Sequence, residues 1–198
     1  MEQFERSLLK DLKEKGHSYK NIDQIFEQNP LQPEEVEVIL KWLPTAYAED
    51  LAAGDTLVRS LMSARIPFDP ALLIDIFENS DMNFHLKSGI ALTLGHARTL
   101  DVSQWMRNKL LNEPFANENY GLVFGLYKKG GFETNADFMG FIKKIFDKYH
   151  SDEILKFFVK YGDGNDLLFL KEKVKTADKK FAKSIQKVID KMSVKYQL

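Results

Sequence analysis

Residues 86–98 read LKSGIALTLGHAR, and this stretch decides the fold class of the 198-residue chain. Apolar side chains occur on nearly every side of the helix that it would form, which is typical of a helix buried on most of its surface. Gly89 and Gly95 lower the helix propensity by about 1 kcal/mol each relative to Ala. We explain them by the close approach of a neighbouring helix, and we expect at least one of them to touch a neighbouring backbone.

On both sides of this stretch, apolar residues repeat the i, i+3, i+4, i+7 spacing of amphipathic helices, and no segment alternates with period 2. The helices group into pairs, whose first helices begin near residues 2, 33, 70, 101, 134 and 164. Their second helices begin near residues 20, 55, 84, 118, 151 and 178. A helical hairpin that recurs every 30–37 residues predicts an all-α repeat protein of about twelve helices.

Local signals predict where individual helices begin and end. Gly16 ends the first helix, and Pro33 stands at the first position of the third, where its missing N–H costs nothing. We expect Pro44 to end that helix. Residues 45–54 fit either a helical turn or a loop, and Asp55 is the expected N-cap of the fourth helix. Later helices are expected to start at Asp69, Asp101 and Ser151.

The clearest apolar stripe lies in the last third of the chain. It consists of Phe138, Phe141, Ile142, Ile145, Phe146 and Tyr149. Because Phe141 and Ile145 stand at its centre, in a repeat with neighbours on both sides, we expect both side chains to be buried.

The segment IALTLG, from Ile90 to Gly95, resembles the second helix of a HEAT-like repeat, in which an alanine–leucine pair precedes a leucine–glycine pair. Asp69-Pro70, which starts the preceding helix, fits the same pattern. Residues 70–98 carry this resemblance, and the other five units match in period and apolar face. The resemblance to this armadillo-type superfamily implies an α-α superhelix over a single domain, residues 1–198, with about six hairpins in a short right-handed solenoid. Such proteins are binding scaffolds more often than enzymes.

The composition is that of an ordinary globular protein, with 44% hydrophobic and 29% charged residues. Cysteine is absent, which excludes disulfides and thiolate metal sites. The N-terminal MEQFERSLLK is not followed by a signal-peptide core, and no apolar run approaches the roughly 20 residues of a membrane span. We therefore expect a soluble cytoplasmic protein that does not associate with membranes.

Charge is distributed unevenly along the chain. Residues 141–198 contain 14 Lys and 8 acidic residues, a net charge of +6, whereas residues 1–140 carry −7. This end of the chain is either a solvated helical surface or a basic face for an acidic partner or nucleic acid. Every cation in it is Lys, whereas Arg is the usual residue for bidentate recognition of phosphates and bases.

The candidate chemical groups do not form a recognisable active site. His85 and His96 share one helix face but lie about 16 Å apart at 1.5 Å per residue, too far for one metal ion. Asp75 and Glu78 have no histidine or arginine directed at them, as acid–base chemistry would require. The loop YGDGND, residues 161–166, lacks the late glutamate of a calcium loop. We expect no catalytic residue, no cofactor and no metal.

Two functional hypotheses follow. The first is a non-enzymatic protein-binding scaffold or adaptor whose second helices line a concave binding surface. The amphipathic or polar residues predicted on that surface are Arg59, His96, Tyr127 and Lys128. The alternative is a nucleic-acid-binding protein resembling HEAT-like DNA glycosylases, which would need a positive concave groove that holds a carboxylate and aromatic residues.

Overall fold

The computed structural model describes residues 3–27, 30–79, 84–112, 119–129 and 131–196, without the side chains of residues 84, 85, 120 and 196. Over these residues the protein is all-helical, with twelve α-helices, one 3-10 helix (Leu61–Ser63) and no strand. The helices are α1 (Gln3–Glu14), α2 (Ile22–Glu27), α3 (Pro33–Glu49), α4 (Leu51–Ser60), α5 (Ala71–Asn79), α6 (Phe84–His96), α7 (Ser103–Asn112), α8 (Tyr120–Lys128), α9 (Asn135–Phe146), α10 (Asp152–Tyr161), α11 (Gly164–Lys173) and α12 (Lys179–Tyr196). The all-α prediction and its twelve helices are confirmed.

The chain packs into two compact units. The first comprises Met1–Leu110 and Ala116–Gly131, and the second comprises Leu111–Phe115 and Phe132–Leu198. The single domain expected from the resemblance stays a prediction. In the part of the chain that the structure describes, no helix is both long enough and apolar enough to cross a bilayer.

Several helix ends follow the local signals in the sequence. Gly16 adopts a positive φ of 94°, and the N–H groups of Gly16 and His17 donate to the carbonyls of Lys13 and Leu12, which closes α1. Pro33 is the first residue of α3. Side-chain oxygens cap the following N–H groups at Asp69, Asp101, Ser151 and Asp178.

Two predicted boundaries are wrong. Helix α3 continues through Pro44 to Glu49, because Ala46 and Tyr47 beyond the proline are buried and their packing outweighs its missing hydrogen bond. Asp50, not Asp55, caps α4, with its carboxylate accepting the N–H groups of Ala52 and Ala53. Residues 45–54 are therefore helical on both sides of a single non-helical residue, Asp50.

In the first unit the second helices pack in series, α2 on α4, α4 on α6 and α6 on α8. Helix α6 is buried as expected: Ile90, Ala91 and Leu94 are inaccessible to solvent. Thr93 of the same helix is fully buried, and its hydroxyl donates to the carbonyl of Val58 on α4 at 3.1 Å. The polar group is thereby satisfied inside the packed interface.

Helices α6 and α8 meet along three glycines. A Cβ atom on Gly95 would lie 2.7 Å from the Cα of Gly125 and 2.9 Å from the carbonyl oxygen of Gly121. A Cβ on Gly121 would lie 2.7 Å from the amide nitrogen of Leu92. We call Gly95, Gly121 and Gly125 the glycine seam. The expected contact between a glycine of residues 86–98 and a neighbouring backbone is confirmed at Gly95, whereas Gly89 faces the side chain of Asp55.

The segments between successive hairpins are bonded to one another. Leu31 forms an isolated parallel bridge with Ala64, and Phe68 forms one with Thr99. The first bridge joins the α2–α3 and α4–α5 connections, and the second joins the α4–α5 and α6–α7 connections. Consecutive hairpins of the first unit therefore make the same kind of main-chain contact.

Side chains continue this pattern at regular spacing. Arg65 donates to the side-chain oxygen of Gln32, and Arg98 donates to the carbonyl of Arg65, so both contacts span 33 residues. Lys129 then reaches the carbonyl of Ala97, 32 residues back. We call this series of contacts the linker ladder.

The second unit has an aromatic core built on α9, with α10 packed on α9 and α12 packed on α10 and α11. Phe141 is 4% exposed and Ile145 is inaccessible, so their predicted burial is confirmed. The ring of Phe138 lies edge-on to that of Phe157, with centroids 5.1 Å apart. Aromatic rings in this arrangement attract one another beyond the area that they bury.

Candidate functional site

The structure brings together two of the four predicted surface residues. His96 is the last residue of α6 and Lys128 the last of α8, and the Lys128 ammonium donates to His96 Nδ1 at 2.8 Å. His96 is solvent-accessible, but partial desolvation of its ring, followed by the charges of Lys128 and Lys129, lowers its pKa. The imidazole is therefore held neutral, which is the form that can accept this hydrogen bond.

Lys129 anchors the same end of α6. Its ammonium donates to the carbonyl of Ala97 and the hydroxyl of Thr99, at 2.9 Å in each case. A cation at this position compensates the negative end of the helix dipole. Burial lowers the pKa of Lys129. His96, Lys128 and Lys129 form a basic cluster whose donors are partly committed within the protein.

The other two predicted residues have different surroundings. Arg59 is half-buried on α4, and its Nε donates to Asp55 Oδ2 at 2.7 Å. Its Nη2 lies beside α6, 3.2 Å from where a Cβ on Gly89 would be. The guanidinium is thus already engaged by a carboxylate of its own helix. Tyr127 is half-buried on α8.

Two buried polar groups that the sequence did not reveal lie close to Arg59. Asp55 Oδ1 and the Tyr47 hydroxyl are both buried, and neither has a hydrogen-bond partner among the described residues. Burial, followed by the charge of Asp55, raises the pKa of Tyr47, so its hydroxyl stays protonated. Asp55 was the expected cap of α4. Its carboxylate instead balances Arg59 beneath Gly89.

A second unforeseen cluster lies at the start of α3. Glu35 is 1% exposed, and its Oε2 accepts the N–H of Gln32 at 2.7 Å while its Oε1 accepts the Tyr19 hydroxyl. His17 lies between two carboxylates, 3.1 Å from Glu34 Oε1 and 3.4 Å from Glu35 Oε1. Burial, then the hydrogen bond to Glu35 and its charge, raise the pKa of Tyr19.

The spacing of Gln32 and Glu35 is that of a capping box, and this signal could have been found in the sequence. The participation of His17 and Tyr19 could not, because both lie after α1 and meet α3 only in the folded chain. The cluster holds the start of α3 against the α1–α2 connection, which is a structural role.

The acidic residues considered as catalytic or metal-binding candidates do not form one cluster, and each has a hydrogen-bond or ion-pair partner. The amide of Asn79 donates to Asp75, whereas Glu78 accepts from Trp105 and Lys109 of α7. In the YGDGND segment, Asp163 caps α11 and the buried Asp166 forms an ion pair with Lys143 at 2.5 Å. The side chain of His85 lies outside the described residues. No group of three or more ligating side chains suited to a metal occurs in the described part of the chain.

The lysine-rich end of the sequence forms one side of a groove in the second unit. The groove has a volume of about 200 Å³ and runs between α10 and α12. Its lining consists of Asp152, Leu155, Lys156, Val159, Ser184, Lys187, Val188 and Lys191. Leu155 and Val188 are almost fully buried and Val159 is half-buried, whereas the three lysines are exposed. An apolar floor with a mainly cationic rim is suited to an amphipathic ligand.

Known proteins do not provide a template for any of these surfaces. No protein-family model, curated protein or solved structure matches the chain.

Proposed function

We propose that this protein is a non-enzymatic protein-binding scaffold or adaptor of the cytoplasm, in which helical hairpins stack as the short right-handed solenoid that the HEAT-like resemblance implies. The observation that carries this proposal is the linker ladder. Arg65 donates to Gln32 and Arg98 donates to Arg65, each from a residue 33 positions further along the chain. A regular translation from hairpin to hairpin is what a solenoid requires.

The packing of the second helices supports the same proposal. Helices α2, α4, α6 and α8 pack in series in the first unit, and we propose that their outward residues form one continuous surface. His96 and Lys128 stand on adjacent members of this series and are both exposed. Solenoids bind partners along such extended surfaces, without a deep pocket.

The test is affinity capture from the source cell with the full chain as bait, followed by mass spectrometry. Lys128→Glu places a carboxylate beside the His96 ring, and Lys20→Glu is the matched control, because Lys20 is exposed in the α1–α2 connection. We expect a set of proteins that the wild-type chain and Lys20→Glu retain and Lys128→Glu loses. A chain that retains nothing above an empty resin contradicts the scaffold proposal.

A second candidate function is nucleic-acid binding, and the basic cluster at the ends of α6 and α8 is the observation that favours it. The cluster is weakened as a phosphate site because Lys128 donates to His96 and Lys129 to Ala97 and Thr99. Titration of a labelled DNA duplex at several salt concentrations discriminates the two functions, since phosphate contacts give a steep salt dependence.

A further inference from the structure

We infer that the groove between α10 and α12 binds an acidic amphipathic helix of a partner protein. This inference rests on the proposed function and names the class of partner for one surface. The groove lies wholly within the second unit, on the second helices of the two last hairpins. Three features carry the inference: the apolar floor, the arrangement of the lysines and the size of the cavity.

The floor provides apolar contacts that an anchoring side chain can use. Leu155 and Val159 face the groove from α10, and Val188 faces it from α12. Val159 remains half-buried in the free protein, so a ligand would cover apolar surface that now meets water. None of the three is aromatic, and sequence-tolerant binding of single-stranded nucleic acid relies on aromatic stacking.

The rim is cationic along α12. Lys187 and Lys191 line the groove, and Lys183 precedes them by one interval of four residues, so the three lysines are neighbours on one face of the helix. All three are exposed, and no carboxylate of the described residues forms an ion pair with them. Their positive charge is therefore available to an acidic ligand.

The opposite rim carries one charge of each sign. Lys156 is paired with Glu153 at 2.5 Å on the surface of α10, and Asp152 lines the groove beside it. A carboxylate at this place disfavours a phosphate backbone, but it is compatible with a peptide whose acidic residues lie along α12. The charges of the two rims thus favour a ligand whose acidic residues lie on one flank, the flank that faces α12.

The volume argues against a small-molecule or cofactor site. A cavity of about 200 Å³ is smaller than the roughly 300–1,000 Å³ of small-molecule and cofactor sites. It is suited to a few aliphatic side chains presented at i, i+3, i+4 and i+7 by a helix that lies along the groove. The groove is therefore a receptor for anchors on a larger partner.

The experiment measures fluorescence anisotropy of a labelled amphipathic helix of about 18 residues, with Leu at i, i+3, i+4 and i+7 and Glu along one flank. The protein variant is Lys187→Glu/Lys191→Glu in the full chain. The matched control is Lys179→Glu/Lys180→Glu, which changes the net charge equally on the same helix at two exposed residues outside the groove. Circular dichroism verifies that both variants keep the helical content of the wild type.

We expect the groove variant to weaken binding by at least about tenfold and the control by less than about twofold, because close charges act locally. Val159→Ser, which reduces the apolar floor and leaves the charges in place, is expected to weaken binding by about threefold. A peptide with Lys in place of Glu along that flank is expected not to bind.

Equal losses in the two charge variants overturn the inference, because they indicate attraction to net charge alone. Tighter binding of a single-stranded RNA oligonucleotide of equal length than of the acidic peptide also overturns it, as does a sedimentation experiment in which a second copy of the chain occupies the groove. If the peptide fails to bind while affinity capture still retains partners that Lys187→Glu/Lys191→Glu does not lose, the groove inference fails and the scaffold proposal stands.

Discussion

The two units differ in what fills the space between neighbouring helices. In the first unit, α6 and α8 approach until Gly95 meets the backbone of Gly121 and Gly125. In the second unit, aromatic rings fill the space between helices, as where Phe146 meets Phe158 with centroids 5.8 Å apart. Helices of similar length thus pack with opposite side-chain volumes, provided that neighbouring helices are complementary.

This difference predicts opposite responses to a change of size. Removing volume is harmful where rings fill the space, whereas adding volume is harmful where backbones touch. Two spectroscopic signals distinguish unfolding of the first unit from unfolding of the whole chain. Far-UV circular dichroism follows all helices, whereas Trp fluorescence follows the first unit, which contains both Trp42 and Trp105.

The largest expected effect is that of Phe141→Ala in the second unit. The ring centroids of Phe141 and Phe132 are 5.3 Å apart, and the Phe141 side chain is nearly inaccessible to solvent. Removing this ring should lower the free energy of unfolding by about 3–5 kcal/mol. Urea denaturation followed by circular dichroism measures it. Leu168→Ala is the control, since Leu168 is 61% exposed on α11. An unchanged midpoint for Phe141→Ala would mean that the aromatic core does not stabilise this unit.

Next in size is Gly95→Ala in the glycine seam. The added methyl group meets backbone atoms that cannot rotate away, so we expect destabilisation by about 1–3 kcal/mol in the fluorescence transition. Gly140→Ala in α9 is the control, followed by circular dichroism because it lies in the second unit. Nothing lies within 4 Å of a Cβ there, and the substitution should stabilise the protein by about 0.5–1 kcal/mol. Stabilisation by Gly95→Ala would contradict the close approach of α6 and α8.

A smaller effect is expected for Gly89→Ala. Its methyl group meets the end of the Asp55 side chain, which can move with Arg59, so the cost should be about 1 kcal/mol or less once the gain in helix propensity is included. In an Asp55→Ala background the same substitution should become stabilising, which a double-mutant cycle measures. If Gly89→Ala costs more than Gly95→Ala, the seam is not the closest approach of α6.

The smallest effect concerns pH at the end of the seam. The folded-state pKa of His96 is lowered, so below its unfolded value of about 6.5 the unfolded chain binds the proton more readily. Stability should therefore be lost as the pH falls from about 6.5 through the folded-state pKa. Thermal unfolding between pH 7.5 and pH 5 should show a smaller loss for His96→Gln than for the wild type. An identical loss would exclude a contribution from His96.

Several helix ends could be predicted from the sequence because capping interactions involve only a few neighbouring residues. Asp101 and Ser151 cap the helices that follow them, and Gly16 closes the first helix. Where a predicted helix end is wrong, packing in the folded protein outweighs the local signal. Pro44 was expected to end α3, but the buried side chains after it keep the helix intact.

For the candidate surface residues, the sequence could predict the helix on which each residue lies, but not the side chains that each residue contacts. His96 and Lys128 were selected separately and meet at 2.8 Å, whereas Arg59 is held by Asp55. The lysine excess of residues 141–198 was visible in the composition. Its position beside an apolar groove depends on how α10 and α12 pack, which no local pattern contains.

The sequence by itself determined the all-α class, the twelve helices and the burial of α6, because helical periodicity and capping are local properties. Only the tertiary structure decided that Gly95 rather than Gly89 touches a neighbouring backbone, and that His17 joins the buried Glu35. Those outcomes depend on the rotation and register of helices far apart in the chain. Such relations are set by the packing of many side chains at once, so no single segment of the sequence specifies them.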